Sequence, residues 1–457
     1  MLYQINLVKK ILVAIPVFIA WQASAQTIIK QDKSISQMVN EVSSKNIETI
    51  IRKLVSFKSR HTLSDTSSST EGSGAARNWI KSELEKYAKG SDGRMTVQFD
   101  TFTQPKSARV DKPVPLKNVL AILKGTDPND TRIYVVSGHY DSRVNDVMNA
   151  NAFEPGANDD ASGTAVSMEL ARVMSKYKFP STIVFMCVVG EEQGLYGSTH
   201  VANKAKDEKW NIDAMLNNDI VGNTYGAETD LKDNRSVRVF SEGVPSTAAG
   251  NEREIRSLIA LGGENDSPSR ELARYIKEVG ERYVDQLDVK LIYRRDRFLR
   301  GGDHVPFLQN GFTAVRITEM NEDFNRQHQD VRTENGISYG DLPDFVDFNY
   351  AQKVARMNLS VLANLATAPG QPEKVGIVTS GLTNKTTLKW QAPATGAKPA
   401  GYYVLMRETI SPYWEKKFYV ENTSMTLDYS KDNYFFAVQS VDDKGHESLP
   451  VYPKSTR

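Results

Sequence analysis

A single cysteine, Cys187, occurs in 457 residues, so no intrachain disulfide can form and stability has to come from packing. An excess of one charge is missing too. The 57 lysines and arginines stand against 56 acids, for a net charge of +1. That balance excludes recognition of nucleic acid or an anionic membrane surface through a broad basic field. Past the N-terminal region no apolar stretch approaches the ~18 residues needed to cross a bilayer, so no membrane anchor is expected. No internal repeat marks a solenoid. Histidine is scarce, at six residues, which makes the position of each one informative. What is present, 40% hydrophobic and 25% charged residues, suits a globular chain long enough for more than one domain.

The first residues stand apart. Lys9 and Lys10 precede the apolar run Ile11 to Trp21 and then Ala23-Ser24-Ala25. A basic start, a short apolar run and small residues at a cleavage point read as a secretory signal peptide over residues 1–25. The expected product begins at Gln26 and is exported, periplasmic or extracellular.

From there the pattern alternates between helix and strand. Ser34 to Phe57 carries Ile35, Met38, Val39, Val42, Ile47, Ile50, Ile51 and Leu54 at helical spacing, enough for one or two amphipathic helices. Glu71 to Tyr87, Thr164 to Tyr177, Ser269 to Gln286 and Asn349 to Leu365 also read as helices. Strands are expected at Thr96–Phe102, Val119–Leu123, Ile133–Val136, Ile183–Val189, Ala214–Val221, Val237–Phe240, Val289–Tyr293 and Thr313–Ile317. The run Ile183–Val189 is apolar throughout, the mark of a strand buried on both faces of a parallel sheet. Cys187 lies inside it and reads as an inert core thiol. This alternation predicts an α/β domain with a mixed, largely parallel central sheet flanked by helices, spanning residues 26–368. At Ala368-Pro369-Gly370-Gln371-Pro372 the pattern changes to short strands separated by turns. They run over Val375–Thr379, Thr387–Gln391, Gly401–Arg407, Lys417–Val420, Ser424–Asp428 and Tyr434–Val441. Residues 369–457 are therefore expected to form a small β-sandwich of the fibronectin type III sort, with Trp390 and Tyr434 in its core. Its expected role is that of a spacer or cap, or of a contact to glycan or polymer.

Polar residues at the strand ends form one chemical set: His139, Asp141, Asp159, Glu191, Glu192, Asp219, and later His304 and His328. The C-terminal edge of an open α/β sheet is where ligands bind. So many carboxylates in one crevice repel each other unless divalent cations neutralise them. Imidazole and carboxylate without thiolate suit Zn²⁺, with Mn²⁺ or Co²⁺ as substitutes. Five ligands exceed what one tetrahedral ion takes and imply two ions sharing a bridging carboxylate.

The motifs GHYDS (138–142), PGANDDASG (155–163), GEEQGLYGS (190–198), NND (217–219) and GGDHVPF (301–307), followed by a late histidine, resemble the M28 co-catalytic zinc peptidases in type and order. The likeness covers about Ile47 to Leu365. It implies a zinc exopeptidase-like fold and a secreted aminopeptidase activity on peptide substrates with two Zn²⁺ per chain. It also implies that His139 and Asp219 bind one ion, Glu192 and His328 the other, and that Asp159 bridges them. Glu191 would be the general base and Asp141 the acid that orients the His139 ring. Gly156 and Gly163 would shape the turns around the bridging acid.

The last histidine departs from the family pattern, since the stretch reads Arg326-Gln327-His328-Gln329-Asp330. Here His328 is the expected ligand, held by Asp330 or Gln329, and His304 is its rival, expected on the substrate side in a flexible turn. Other readings on this fold are a single-zinc glutaminyl cyclase, a non-catalytic receptor-like protein, and a carboxypeptidase whose basic pocket would come from Arg294, Arg295, Arg297 and Arg300.

Overall fold

The computed structural model describes residues 31–245 and 252–456, so the expected signal peptide and cleavage point lie outside the described residues. Among the described residues, ten α-helices follow in chain order: α1 Lys33–Glu41, α2 Ser44–Val55, α3 Gly72–Ala88, α4 Ala161–Met174, α5 Glu191–Gly194, α6 Tyr196–Asp207, α7 Glu252–Ala260, α8 Pro268–Tyr283, α9 His304–Gln309 and α10 Phe348–Thr367. Their starts are written in the sequence. Asp32, Ser43, Asp160, Ser267 and Asp347 each accept a backbone N–H from the first turn of the helix that follows. Pro268 sits at the start of α8, where a missing N–H costs nothing.

Eight strands form the central sheet: β1 Met95–Gln104, β2 Val114–Leu123, β3 Arg132–His139, β4 Thr182–Val188, β5 Asn211–Asn218, β6 Ser236–Ser241, β7 Asp288–Ile292 and β8 Ala314–Glu319. Their spatial order is β1-β2-β4-β3-β5-β8-β6-β7. The middle four, β4-β3-β5-β8, are mutually parallel, whereas β1-β2, β2-β4 and β8-β6 pair antiparallel. The sheet is thus mixed, with the parallel part at its centre. That places the C-terminal ends of β3, β4, β5 and β8 along one edge.

Burial on both faces follows from the period of two along β4. Ile183, Phe185 and Cys187 enter the larger core against α1, α2, α4, α8 and α10, and Val184, Met186 and Val188 enter the smaller core under α6 and α9. Cys187 is fully buried and burial pushes its thiol up to about 12, so it behaves as an apolar side chain. No helix among the described residues is long and apolar enough to cross a membrane.

Helix α10 ends at Thr367, and from Glu373 the chain builds two facing sheets. One contains β9 Glu373–Val378, β10 Thr386–Gln391, β13 Ser424–Leu427 and β15 Lys454–Thr456; the other contains β11 Gly401–Glu408, β12 Lys416–Val420 and β14 Tyr434–Val441. Trp390 and Phe436 are in the core between them, and Tyr434 packs at its margin. The strand β15, which pairs parallel with β9, is not visible in the sequence pattern. Nor is the docking of this sandwich. Asp266, just before α8, is fully sheltered at its carboxylate, where Arg407 Nη2 of β11 lies 2.8 Å from both oxygens and Arg274 Nη1 of α8 lies 3.0 Å away. Arg274 also pairs with Glu271 at 2.6 Å, and Glu271 accepts from Trp414 Nε1 at 2.8 Å. A second patch joins Glu447 to Arg282 at 2.8 Å and to Asn364 at 3.1 Å. These pairs are taken out of water, so removing one partner leaves an uncompensated buried charge. Asp266→Ala is therefore expected to cost about 3–5 kcal/mol of unfolding free energy, read as a shift of the urea midpoint; a loss below about 0.5 kcal/mol would mean that the network is solvated.

Candidate metal centre

Each acid or imidazole of the centre is delivered by a strand end or by the loop that leaves it. His139 is the last residue of β3, Asp219 follows β5, and Glu191 and Glu192 open α5 directly after β4. Between β4 and α5, Gly190 takes φ of +80°, a conformation that costs glycine least. Asp159 lies on the loop before α4. Gly163 lets that helix reach the sheet, since a Cβ there would stand 2.1 Å from the Asn218 carbonyl. His328 comes from the loop after β8 and has φ of +56°, uncommon for a residue with a side chain.

The tertiary structure gathers these residues into two groups of ligand atoms, each within 4.8 Å of one another: His139 with Glu191 and Asp219, and Asp159 with Glu192 and His328. Asp159 touches both imidazoles, with Oδ1 at 3.3 Å from His139 Nε2 and Oδ2 at 2.8 Å from His328 Nε2. Asp219 Oδ1 is 3.9 Å from His139 Nε2, Glu191 Oε2 is 4.0 Å from it, and Glu192 Oε1 is 3.0 Å from His328 Nε2. Asp159 is thus closer to His139 than Glu191 is. The Glu191 side chain retains 13% exposure against 3% for Asp219, and it lines the open cleft. This leaves Glu191 able to face a substrate.

For Asp219 and Glu192 a neighbouring arginine fixes which oxygen faces inward, and Asp159 has a donor of its own. Arg316 Nη1 lies 2.6 Å from Asp219 Oδ2, Arg143 Nε lies 2.9 Å from Glu192 Oε2, and Gln327 Nε2 donates to Asp159 Oδ2 at 2.9 Å. The carboxylate of Asp341 accepts from the backbone N–H groups of Asn158 and Asp159 at 2.9 and 2.7 Å, which positions the loop that carries Asp159. His139 Nδ1 donates to the Asp141 carbonyl at 3.1 Å, and the Asp141 carboxylate is farther, at 3.5 Å. Asp141 therefore orients the ring chiefly through its main chain, while its Oδ2 accepts from Thr62 and from the Glu192 N–H. The His139 lone pair at Nε2 then points at the acids, as a cation requires.

Two sequence expectations are corrected. The His328 ring is held by neither Asp330 nor Gln329; Arg143 Nη2 approaches Nδ1 at 2.6 Å. An imidazole that gives Nε2 to a cation carries its proton on Nδ1, the atom that faces Arg143 here. His304 does not line the substrate side. It opens α9 rather than a flexible turn, is fully buried, and hydrogen-bonds through Nε2 to the Arg295 carbonyl at 2.8 Å. Burial pushes it down to about 4, so it is a neutral structural ring. In the same motif Asp303 is the residue near the centre: burial pushes its carboxyl up to about 7, with His139 opposing and Asp219 and Asp141 adding to the rise.

Arg143, Arg316, Asp303 and Asp341 were absent from the sequence-derived set. An arginine inside the apolar strand Ala314–Glu319 was the one visible signal, because a cation at such a position demands a buried acid.

Charge in the ion-free centre is carried by protons. Against the burial that opposes it, Asp141 and Asp159 raise His139 well above its ordinary value. Burial likewise opposes the charge on His328, but Glu192 and Asp159 bring it to about 10. Burial, reinforced by Asp219 and Glu192, raises Glu191 well above the usual carboxylate range. Both imidazoles must lose Nε2 protons to bind cations. Titrating zinc into ion-free protein near pH 7.5 is expected to release at least two protons, with affinity rising as pH rises toward about 10. Calorimetry in buffers of different ionisation enthalpy measures this; release of less than one proton would remove the histidines as ligands.

The comparisons agree with this geometry. The sequence model of peptidase family M28 matches residues 118–350, which include every residue of both groups. A probable zinc metalloprotease of Leptosphaeria maculans is 48% identical over 423 residues, covering 92% of this chain and 97% of its own. One of Pyrenophora teres f. teres is 48% identical over 424 residues, covering 92% of this chain and 87% of its own. Among solved structures, the Legionella pneumophila LapA aminopeptidase aligns with a TM-score of 0.53 at 20% identity, covering 74% of this chain and 76% of that one. At that identity the likeness speaks for the fold alone. A family match over half the chain and near-full-length relatives lead to one conclusion: the chain belongs to peptidase family M28.

Proposed function

We propose that the protein is a zinc-dependent exopeptidase that releases N-terminal residues from peptides at a two-ion centre. The observation that carries this is Asp159, one carboxylate reaching both imidazoles at 3.3 and 2.8 Å inside a cleft that also holds three further acids. His139 and Asp219 would hold one ion, Glu192 and His328 the other, with Asp159 between. A single-zinc cyclase centre would leave one of the two groups without a cation, which counts against that reading. The donors are nitrogen and oxygen only, as zinc in a catalytic site takes them.

Zinc bound there supplies Lewis acidity toward the scissile carbonyl and toward water. The protein's own residues do the rest. Glu191, on the open side, accepts the proton of the attacking water and returns it to the leaving amine. Arg316 and Arg143 keep one oxygen of Asp219 and of Glu192 engaged, so the other is presented inward without rotation, and Gln327 steadies the Asp159 oxygen nearest His328. A free α-amino group finds acids beside the ions, which is the support for N-terminal release. The carboxypeptidase reading draws support from Arg297 and Arg300, which line the cleft; Arg294 and Arg295 do not. Export through residues 1–25 remains part of the proposal.

Glu191→Gln is expected to lower kcat by about 10² to 10⁴ while metal content stays unchanged, because the amide keeps the shape but takes no proton. Glu192→Gln should instead lower metal content. Equal metal loss in the two variants would contradict the division of roles between these neighbours.

End polarity is read with zinc-loaded protein on three versions of one peptide: free at both ends, N-acetylated, and C-amidated. Stepwise release from the free amino end, retained on C-amidation and lost on acetylation, is the expected result. Release from the carboxyl end would replace the aminopeptidase reading.

A further inference from the structure

We infer that the cleft recognises a carboxylate of the substrate, carried close to the scissile bond, through Arg109 and Arg300. The inference rests on the peptidase reading above and adds the class of substrate. The cleft holds about 310 Å³, and the four acids that line it, Asp159, Glu191, Glu192 and Asp219, all belong to the two metal groups. Its remaining charged lining, His328 aside, is Arg109, Arg297 and Arg300.

The pairing of these arginines is uneven. Glu322 is shared by three guanidinium groups: Arg238 at 3.0 Å, Arg297 at 3.2 Å and Arg300 at 2.7 Å. One carboxylate cannot neutralise three cations. Arg297 has a second acid, Asp296, at 3.2 Å. Among the described residues Arg300 has no acid but Glu322, which it meets through Nη1, and its side chain is 34% exposed. Arg109 pairs with no carboxylate among the described residues. Its Nη1 donates to the Glu192 main-chain carbonyl at 2.9 Å, which anchors the guanidinium beside the metal groups. Both arginines therefore keep N–H donors directed to no protein acid. A planar guanidinium with open donors matches a carboxylate in charge and shape.

Two parts of a peptide can supply that group: the terminal carboxylate of a short peptide, or an acidic side chain flanking the cleaved bond. Four probes separate them: Ala-Ala, Ala-Ala amide, Ala-Glu amide and Glu-Ala amide. Dissociation constants are measured by calorimetry on the zinc-loaded Glu191→Gln protein, so that binding is read whether or not turnover occurs. At least one carboxylate-bearing probe should bind about tenfold or more tightly than Ala-Ala amide, the scale of one charge-assisted contact. Ala-Ala in that role identifies the terminal carboxylate; either glutamyl amide identifies the side chain. Adding Arg109→Met and Arg300→Met should bring that ratio below about twofold. Both side chains are at the surface and an unchanged melting temperature checks the fold.

Equal binding of all four probes, or a preference that survives in the double variant, overturns the inference. Hydrolysis by the unmodified protein is followed in parallel. A carboxylate preference without hydrolysis of free-amine peptides would sustain this inference and overturn the N-terminal reading, and hydrolysis without the preference would do the reverse.

Discussion

The structure turns on the repulsion among carboxylates at one edge of a parallel sheet. Asp159, Glu191, Glu192 and Asp219 meet there because β3, β4 and β5 run the same way and end together. In a low-dielectric crevice such acids cannot all be charged without cations. The protein supplies some of the compensation itself: Arg316, fully buried in β8, takes Asp219, and Arg143 takes Glu192. For the rest, the acids draw protons toward the centre, raising His139 and His328 above their ordinary values. The same interaction explains why Glu191 and Glu192 can stand side by side: Glu192 is engaged by His328 and Arg143, while Glu191 stays open to the cleft.

A second layer of residues turns this electrostatic tension into geometry. Asp341, far along the chain, holds the backbone of the loop that carries Asp159; the Asp141 carbonyl holds the His139 ring; Gln327 donates to the Asp159 oxygen nearest His328. None of these needs to touch a cation to decide where the cation sits. Arginine does the same work at larger scale. Asp266 joins Arg274 of the catalytic layer to Arg407 of the β-sandwich, so the C-terminal sheets are tied to α8 and not strung behind it.

Much of this was legible in the sequence, for a physical reason that differs between fold and site. Helices α1, α2, α3, α4, α8 and α10 were legible because their apolar residues recur at helical spacing. The strand β4 was legible because burial on two faces demands an unbroken apolar run, and Ile183 to Val188 supplies one. Order of motifs made the candidate ligand set legible, since His139, Glu191, Glu192 and Asp219 lie at or within a few residues of a strand end. The strand β15 was missed because three exposed residues pair with a distant edge and carry no pattern of their own. His304 was misread because glycines before it and Pro306 after it resemble a loop, while the packing of Phe307 and Leu308 under the sheet makes that segment helical.

The sequence by itself determined the alternating α/β layout, the change to short strands after Pro372, and which residue types could hold a cation. These are local: periodicity, capping and side-chain chemistry are properties of neighbours along the chain. Only the tertiary structure decided how those residues are shared. That Asp159 stands between two imidazoles, that Arg143 and not Asp330 meets His328, and that Arg109 and Arg300 face one cleft all depend on contacts between distant segments. Charges interact through space over several ångströms, and the sequence carries no record of those distances until the sheet brings its strand ends together.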